Sequence, residues 1–226
     1  DRPTWRTIVG GSARYVEKLS APFRHRVRLE TPVESVRRVP GGVIVKPRGL
    51  EAVRYDAVFL ACHSDQALAM LADPTAPEHE VLGAIPYQRN EAVLHTDTRL
   101  MPRRRLAWAA WNYHLPKGGG GPAALTYDMS CLQRLDTPTP FLVTLNRSDE
   151  IDPARVIKRI AYQHPLYTPA SVAAQARHRE LNGAQHTYFC GAWWRNGFHE
   201  DGVVSALDAV THFEQDHAQR TLYRSA

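Results

Sequence analysis

The sequence is poor in the features that would place it outside the cytoplasm. Its 226 residues include three cysteines, widely spaced at Cys62, Cys131 and Cys190, which excludes a disulfide framework and a cysteine metal knuckle. No run of about 18 apolar residues occurs, so we expect no transmembrane segment. The first residues have neither the basic start nor the apolar core of a signal peptide. We therefore expect a cytoplasmic protein with reduced thiols.

The charged residues lack the pattern of a nucleic-acid-binding protein. The net charge is +5, but the basic residues are scattered and no basic stripe alternates with aromatics, so we expect no nucleic acid partner. The run Arg103–Arg105 follows Pro102, which favours a solvated turn over a site for an acidic head group. A metalloprotease motif is also absent, because His199-Glu200 is followed by Val203 and Ala206 where ligands are needed. We expect no metal.

Phosphate-binding glycine loops are missing as well. No strand is followed by Gly-x-Gly-x-x-Gly and a helix. The run Gly118–Gly121 has no Gly-Lys-Ser/Thr ending, and we interpret it as a flexible loop. Gly10-Gly11 precedes a short helical pattern with Ser12 as the expected N-cap.

Alternation of apolar residues predicts a mixed α/β (α+β) fold. Short strands separated by Gly and Pro turns are expected first as a three-stranded meander within 33–55, and then as a largely antiparallel sheet at 92–98, 106–113, 124–131 and 141–146. The continuous apolar run at 56–62 is typical of a parallel strand covered on both faces, and 187–191 is predicted as a strand. Helices are predicted at 66–71, 153–160 and 171–179, and a last one from Gly202, whose apolar face contains Val203, Ala206, Leu207, Val210 and Phe213.

The loop from Gly191 to Gly202 is the most informative segment, because it joins a strand to this last helix. The first amides of a helix have no partner inside it, and the helix dipole adds partial positive charge there. Such a start suits a bound electronegative group. His199-Glu200-Asp201 has a simpler interpretation as an acidic first turn that complements the dipole. Trp193 and Trp194 are candidates for a pocket wall, although core packing is their default role.

These residues carry a resemblance. Phe189-Cys190-Gly191-Ala192, with Gly197-Phe198-His199-Glu200-Asp201-Gly202-Val203 and Ser205-Ala206, resembles the C-terminal flavin-binding signature of the flavin-containing amine oxidase superfamily. The His-Glu-Asp-Gly run is closest to a bacterial branch of NAD/FAD-binding oxidoreductases. The segments 5–16, 55–63 and 163–169 are similar to that branch in order and spacing.

The resemblance implies FAD as the cofactor and places residues around it. The expected cofactor-binding residues are Gly11, Val33, Gly191, Ala192, Glu200, Asp201, Gly202 and Val203. Amides near Asp201–Val203 are expected at the flavin O2, Gly191 and Ala192 along the ribityl and pyrophosphate groups, and Val33 near the adenine. Relatives often have an acidic residue where Ala192 stands. No catalytic residue is assigned; His63, His95 and His199 are candidates for a general base by residue type alone.

The implied organisation is a partial FAD/NAD(P)-binding three-layer domain at 1–73 and 181–226, with a mostly antiparallel substrate domain at 74–180. The implied reaction is hydride transfer from a small amine or fatty-acyl (lipid) substrate to FAD. An N-terminal dinucleotide-binding part is missing from this chain, so we expect it to be inactive and to bind FAD weakly or not at all. Two alternatives are a non-catalytic binding or assembly domain without flavin and, less favoured, a metal-dependent hydrolase.

Overall fold

The computed structural model describes residues 6–115 and 124–224, with side chains up to residue 219. The chain forms two compact units. The first contains the described residues of Asp1–Val27 with Arg89–His164, and the second contains Arg28–Gln88 with the described residues of Pro165–Ala226. The expected division into flavin and substrate domains at residues 73 and 180 stays a prediction.

The described helices are α1 (Ala13–Ser20), α2 (Ser64–Met70), α3 (Ala76–Gly83), α4 (Met129–Gln133), α5 (Pro169–Gln175), α6 (His178–Leu181) and α7 (His199–Arg224). The described strands are β1 (Val33–Val39), β2 (Gly42–Pro47), β3 (Val53–Tyr55), β4 (Val58–Leu60), β5 (Tyr87–His95), β6 (Trp111–His114), β7 (Ala124–Asp128), β8 (Leu142–Leu145), β9 (Val156–Pro165) and β10 (Thr187–Phe189). Helices and antiparallel sheets therefore alternate along the chain, which confirms the mixed α/β prediction.

The second unit has a layered core. Strands β1, β2 and β3 form the predicted antiparallel meander, while β4 and β10 pair in parallel, with Thr187 opposite Val58 and Phe189 opposite Leu60. One face of the parallel pair presents Leu60 and Phe189 to a cluster that includes residues of the meander, α2 and α3. The other face presents Tyr188 to α7. Both faces are covered, as the continuous apolar run at 56–62 predicts.

The buried face of α7 differs from the apolar face that its sequence predicts. Ala209 is fully buried and Ser205 is 1% exposed, and Ala206 and Phe213 of the predicted face pack against the cluster of Tyr188 and Ala209. By contrast Val203 and Leu207, which also belong to the predicted apolar face, are 54% and 61% exposed. The packed stripe of α7 therefore contains only part of the predicted apolar face.

The first unit is built on one five-stranded sheet in the order β6-β7-β8-β5-β9. Its core contains Val93, Leu100 and Ile151. Helix α1 forms where it was predicted, but Ser12 makes no side-chain capping bond, and α1 has no buried residue. The glycine run 118–121 lies outside the described residues.

Several local predictions were wrong. Within the expected strands 106–113 and 124–131, Arg105–Ala107 form a 3₁₀ turn and Met129–Gln133 is helix α4. Residues 153–160 are not a helix: Pro153–Arg155 form a single 3₁₀ turn, and Val156–Pro165 is strand β9. The β-branched residues Val156, Ile157 and Ile160 favour a strand, and β9 is hydrogen-bonded to β5 at the sheet edge, with Arg159 3.5 Å from Glu91. The predicted helix 171–179 is broken in two, since α5 ends at Gln175 and α6 begins at His178.

Candidate functional site

The candidate site lies at the carboxyl ends of the two parallel strands. Cys62 follows β4 and Gly191 follows β10. The indole Nε1 of Trp193 donates to the carbonyl of Cys62 at 2.9 Å and so ties the two strand ends together. In open α/β sheets, ligands bind at the carboxyl ends of parallel strands. This edge is therefore the natural place for a ligand in the second unit.

Gly191 permits the loop to turn sharply at the end of β10. Its backbone has φ 156° and ψ 156°, in a region that is essentially restricted to glycine. A β-carbon at this position would overlap the indole nitrogen of Trp193 and would lie 2.7 Å from its Cδ1. The indole therefore occupies the space that any larger residue at 191 needs.

Ser205 joins the loop to the last helix. Its hydroxyl accepts from the amide of Gly191 at 2.9 Å and donates to the carbonyl of Gly202 at 2.9 Å. Ala192 also lies close to Gly202, since a β-carbon on Gly202 would be 3.9 Å from the Ala192 amide nitrogen. The structure thus brings Gly191, Ala192 and Gly202 together. Sequence reasoning missed Ser205 as a site residue, although its spacing of three from Gly202 places both on one helix face.

Helix α7 begins at His199, three residues before the predicted start at Gly202. The amide of Gly202 already donates to the carbonyl of Phe198 at 3.2 Å. The carboxylate of Asp201 reaches back and accepts from the Phe198 amide at 2.9 Å. This is one half of a capping box. The amides without a partner inside the helix are therefore those of its first turn, which includes Glu200 and Asp201.

The other predicted site residues are spread more widely. The side chains of Glu200 and Val203 are exposed. Val33, the first residue of β1, is half-buried against the core of the second unit. Gly11 belongs to the first unit, where it precedes α1 at a φ of +88° with nothing within 4 Å of its virtual β-carbon.

Two tyrosines add to the site and were not predicted. Tyr87 accepts from the amide of Ser64 at 2.9 Å and stacks on His63 at 4.4 Å, directly after β4. Burial raises the pKa of Tyr87. The Tyr167 hydroxyl would lie 2.7 Å from a β-carbon on Gly197, and partial burial followed by the charge of Asp201 raises its pKa. Only tertiary contacts bring Tyr87 to the end of β4 and Tyr167 to the loop.

The three candidate histidines have different environments. His95 is fully buried in the first unit, where its Nδ1 accepts from the Asp97 amide at 3.0 Å and its Nε2 pairs with the Thr144 hydroxyl at 2.8 Å. Both ring nitrogens are used, so His95 is structural. His63 is half-exposed beside the site, and its Nδ1 is buried with no hydrogen-bond partner. His199 starts α7 and is exposed.

The two tryptophans are core residues, and the arginine run lies on an exposed turn. Trp193 and Trp194 are each 4% exposed and belong to the core, with ring centroids 4.2 Å apart. In the first unit, Arg105 stacks 3.6 Å from the ring centroid of Trp108 on an exposed turn. Within the described residues, no group of three or more His, Cys, Asp or Glu is arranged to hold a metal ion. The helices of that same part include none with the length and apolarity required to cross a membrane.

Comparison with known proteins shows a shared fold. No family model matches the sequence, and no curated protein matches it. Solved structures do resemble it. One is a CLA-producing fatty acid isomerase from P. acnes, which matches with a TM-score of 0.65 and 15% identity, over 90% of this chain and 52% of that one. Cyclohexylamine oxidase from Brevibacterium oxydans IH-35A matches with a TM-score of 0.61 and 15% identity, and the match covers 91% of this chain and 53% of that one.

Wild-type putrescine oxidase bound to putrescine matches in the same way, with a TM-score of 0.60, 12% identity and coverage of 91% and 53%. The chain spans about half the length of each of these structures. Its fold is thus the fold of part of these enzymes.

Proposed function

We propose that this chain is the C-terminal, flavin-contacting part of an FAD-dependent oxidoreductase of the amine oxidase type. The observation that carries the proposal is the start of α7 at the carboxyl ends of β4 and β10, fixed there by Ser205. The shared fold with two amine oxidases and a fatty acid isomerase supports it. So does the resemblance of the Gly191–Ala206 segment to a flavin-binding signature.

The residues present fit a flavin at this edge. The first turn of α7 supplies amides without an intrahelical partner and the positive end of the dipole, which suit an electronegative ring oxygen. Beside them, Gly202 keeps open space, since only Ala192 atoms lie within 4 Å of its virtual β-carbon. Asp201 is held back by the Phe198 amide. We assign Gly191 and Ala192 to the ribityl and pyrophosphate side, and Val33 to the adenine end.

When bound, the flavin supplies the hydride acceptor. The chain's own residues position and shield it: the buried pair Trp193 and Trp194 gives the loop a rigid base, and Tyr87 and His63 form an aromatic surface after β4. The substrate we propose is a small amine or a fatty-acyl lipid. The protein acts in the cytoplasm, in keeping with Cys62, Cys131 and Cys190 all being free thiols.

A complete flavin site needs a dinucleotide-binding element that this sequence does not contain. In the described structure β4 pairs with β10 alone, and parallel sheets of two strands are rarely stable by themselves. The anchors for the pyrophosphate and ribose come from a strand–Gly-x-Gly-x-x-Gly–helix unit. We therefore propose that this chain alone binds FAD weakly or not at all.

Calorimetric titration with FAD tests both parts of the proposal. The chain alone is expected to show no saturable heat, and sub-micromolar binding would contradict this. A polypeptide with a strand–Gly-x-Gly-x-x-Gly–helix unit before Asp1 is expected to bind one FAD and to show the visible absorption of an oxidised flavin. In that polypeptide Gly191→Ala should weaken binding and Gly49→Ala should not. A colourless protein that takes up no flavin refutes the function.

A non-catalytic assembly domain is the second candidate. The face of α7 formed by Val203, Leu207 and Val210 is apolar, and these residues are 54%, 61% and 41% exposed. Such a face is typical of a surface that another polypeptide covers. Failure of flavin uptake, together with loss of a stable complex on Leu207→Glu, would favour this function over the first.

A further inference from the structure

Four aromatic rings form a continuous ladder beneath the candidate site. The ring of His212 in α7 lies 5.6 Å from that of His178 in α6. His178 meets Trp194 edge to face at 4.6 Å, and Trp194 lies 4.2 Å from Trp193. Trp193 in turn donates to the carbonyl of Cys62 at 2.9 Å. This ring ladder connects α7 and α6 to the site loop and to the end of β4.

The ladder contains three buried nitrogens without a hydrogen-bond partner: His178 Nε2, His212 Nδ1 and Trp194 Nε1. A hydrogen bond with the backbone of Phe189 acts against burial and favours the protonated ring of His178. A protonated imidazole carries an N–H on both ring nitrogens, so it must place one on Nε2. That buried, charged N–H has no acceptor, which is strongly unfavourable.

The charges around the two histidines oppose protonation in part. Burial is the main cause that lowers the pKa of both, and His212 and Arg195 lower that of His178 further, while Arg179 does so for His212. Two carboxylates act in the opposite direction, but each is already engaged. Asp208 lies 3.7 Å from Arg195. Asp216 lies 3.5 Å from Arg179 and accepts from the Tyr188 hydroxyl at 2.9 Å.

A cleft beside the ladder provides room for it to open. Its volume is about 310 Å³. The residues that line it come from α5, α6, the site loop and α7, and they are Gln175, Ala176, His178, Trp194, Arg195, Ser205 and Asp208. The Asp208 carboxylate lines the same cleft as His178, so a protonated His178 ring that turns further into the cleft moves toward a carboxylate and leaves the edge of Trp194.

We propose that the ring ladder is an acid-sensitive latch, which holds the loop Gly191–Gly197 closed while His178 and His212 are neutral and releases it when they take up protons. Release acts through Trp194, whose contact with His178 is lost, and then through Trp193. The loop belongs to the proposed flavin site, so the latch rests on that function for its biological role. Its mechanics involve only this chain and are tested without flavin.

The test is amide hydrogen exchange of the loop as a function of pH, combined with an NMR titration of each histidine ring. After correction for intrinsic exchange, the opening constant of the loop should rise about tenfold per pH unit below pH 6.5 for each proton taken up on opening. Amides of Val36 and Val43, in the meander of the same unit, should not follow. Both ring titrations should have midpoints below the ordinary value of about 6.5.

Two variants separate the latch from general acid destabilisation. His212→Gln removes one of the protons that the loop takes up when it opens. The rise of the opening constant per pH unit should therefore be about tenfold smaller than in the wild-type protein. The substitution should also raise the proton affinity of His178 about threefold, because it removes the like charge of a protonated His212 ring 5.6 Å away. This is the size of the effect at the dielectric constant of water. His79→Gln, an exposed histidine of the same unit, is the matched control and should change neither measurement.

Two outcomes overturn the proposal. One is a ring titration of His178 or His212 at or above its ordinary value in the wild-type protein, a result that needs no variant. The other is loop exchange with the same pH dependence as the meander amides. The histidine titrations and the hydrogen exchange of the loop are both measured without flavin. A failed flavin titration would therefore contradict the proposed function but not the latch.

Discussion

Replacing Gly191 by alanine tests the central geometry of the site. The added methyl group must share space with the indole of Trp193, whose Cδ1 would be 2.7 Å away. Trp193 cannot move freely, because it is 4% exposed and its Nε1 donates to the Cys62 carbonyl. Alanine also has to adopt φ 156° and ψ 156°. The substitution therefore combines a steric overlap, a strained backbone and the loss of one hydrogen bond.

The expected cost follows from these three effects. Overpacking costs about 1–3 kcal/mol, the backbone conformation about 1–3 kcal/mol, and the Trp193–Cys62 bond about 0.5–1.5 kcal/mol. The free energy of unfolding should fall by roughly 3–7 kcal/mol, a large part of the roughly 5–15 kcal/mol of a typical protein. Gly49→Ala is the matched control, because Gly49 has φ +71° and nothing within 4 Å. It should cost only about 1–2 kcal/mol.

Urea unfolding followed by circular dichroism measures both variants. A double-mutant cycle with Trp193→Phe then isolates the overlap, since phenylalanine lacks the indole nitrogen and should reduce the cost of alanine at 191. If Gly191→Ala destabilises the protein no more than Gly49→Ala, the indole does not restrict position 191 and the described loop geometry is wrong.

Three further predictions address other parts of the structure. Ser205→Ala leaves the buried Gly191 amide without an acceptor and should lower the free energy of unfolding by about 1–3 kcal/mol in urea titration, with Ser205→Thr recovering part of it; equal stabilities would contradict the bridging role. Burial lowers the pKa of His95, so the unfolded chain binds the proton more readily and stability should decrease as the pH falls below about 6.5. His95→Gln should flatten that decrease between pH 6.5 and 5, and a steeper one would reverse the assigned sign. The buried guanidinium of Arg38 forms an ion pair with the carboxylate of Glu78, which is 2% exposed. Arg38→Met removes the charge partner of that carboxylate and should cost about 3–5 kcal/mol; adding Glu78→Gln should restore part of it, and a failure to do so would remove the buried pair as the cause.

Much of the local structure follows from the sequence, because hydrophobic period and turn residues act over short distances. The meander at Val33–Tyr55, the strand within 56–62 and the strand that leads to Gly191 all occur where the pattern places them. The prediction failed at 153–160, where Pro153 and a run of spaced apolar residues fit a helix equally well. Pairing with β5 decided for a strand, and that contact is not visible in a local pattern.

Some features of the candidate site also follow from the sequence, and others depend on tertiary structure. The sequence alone determined that a glycine-containing loop after Gly191 joins a strand to a helix with an acidic first turn, because these are local properties of residue type. Tertiary structure decided where α7 begins, which face of it is buried, and that Trp193 and Trp194 are core residues. It also brought Ser205 and Tyr167 to the loop. Those outcomes depend on the space between packed elements far apart in the chain, and steric fit in that space overrides hydrophobic pattern.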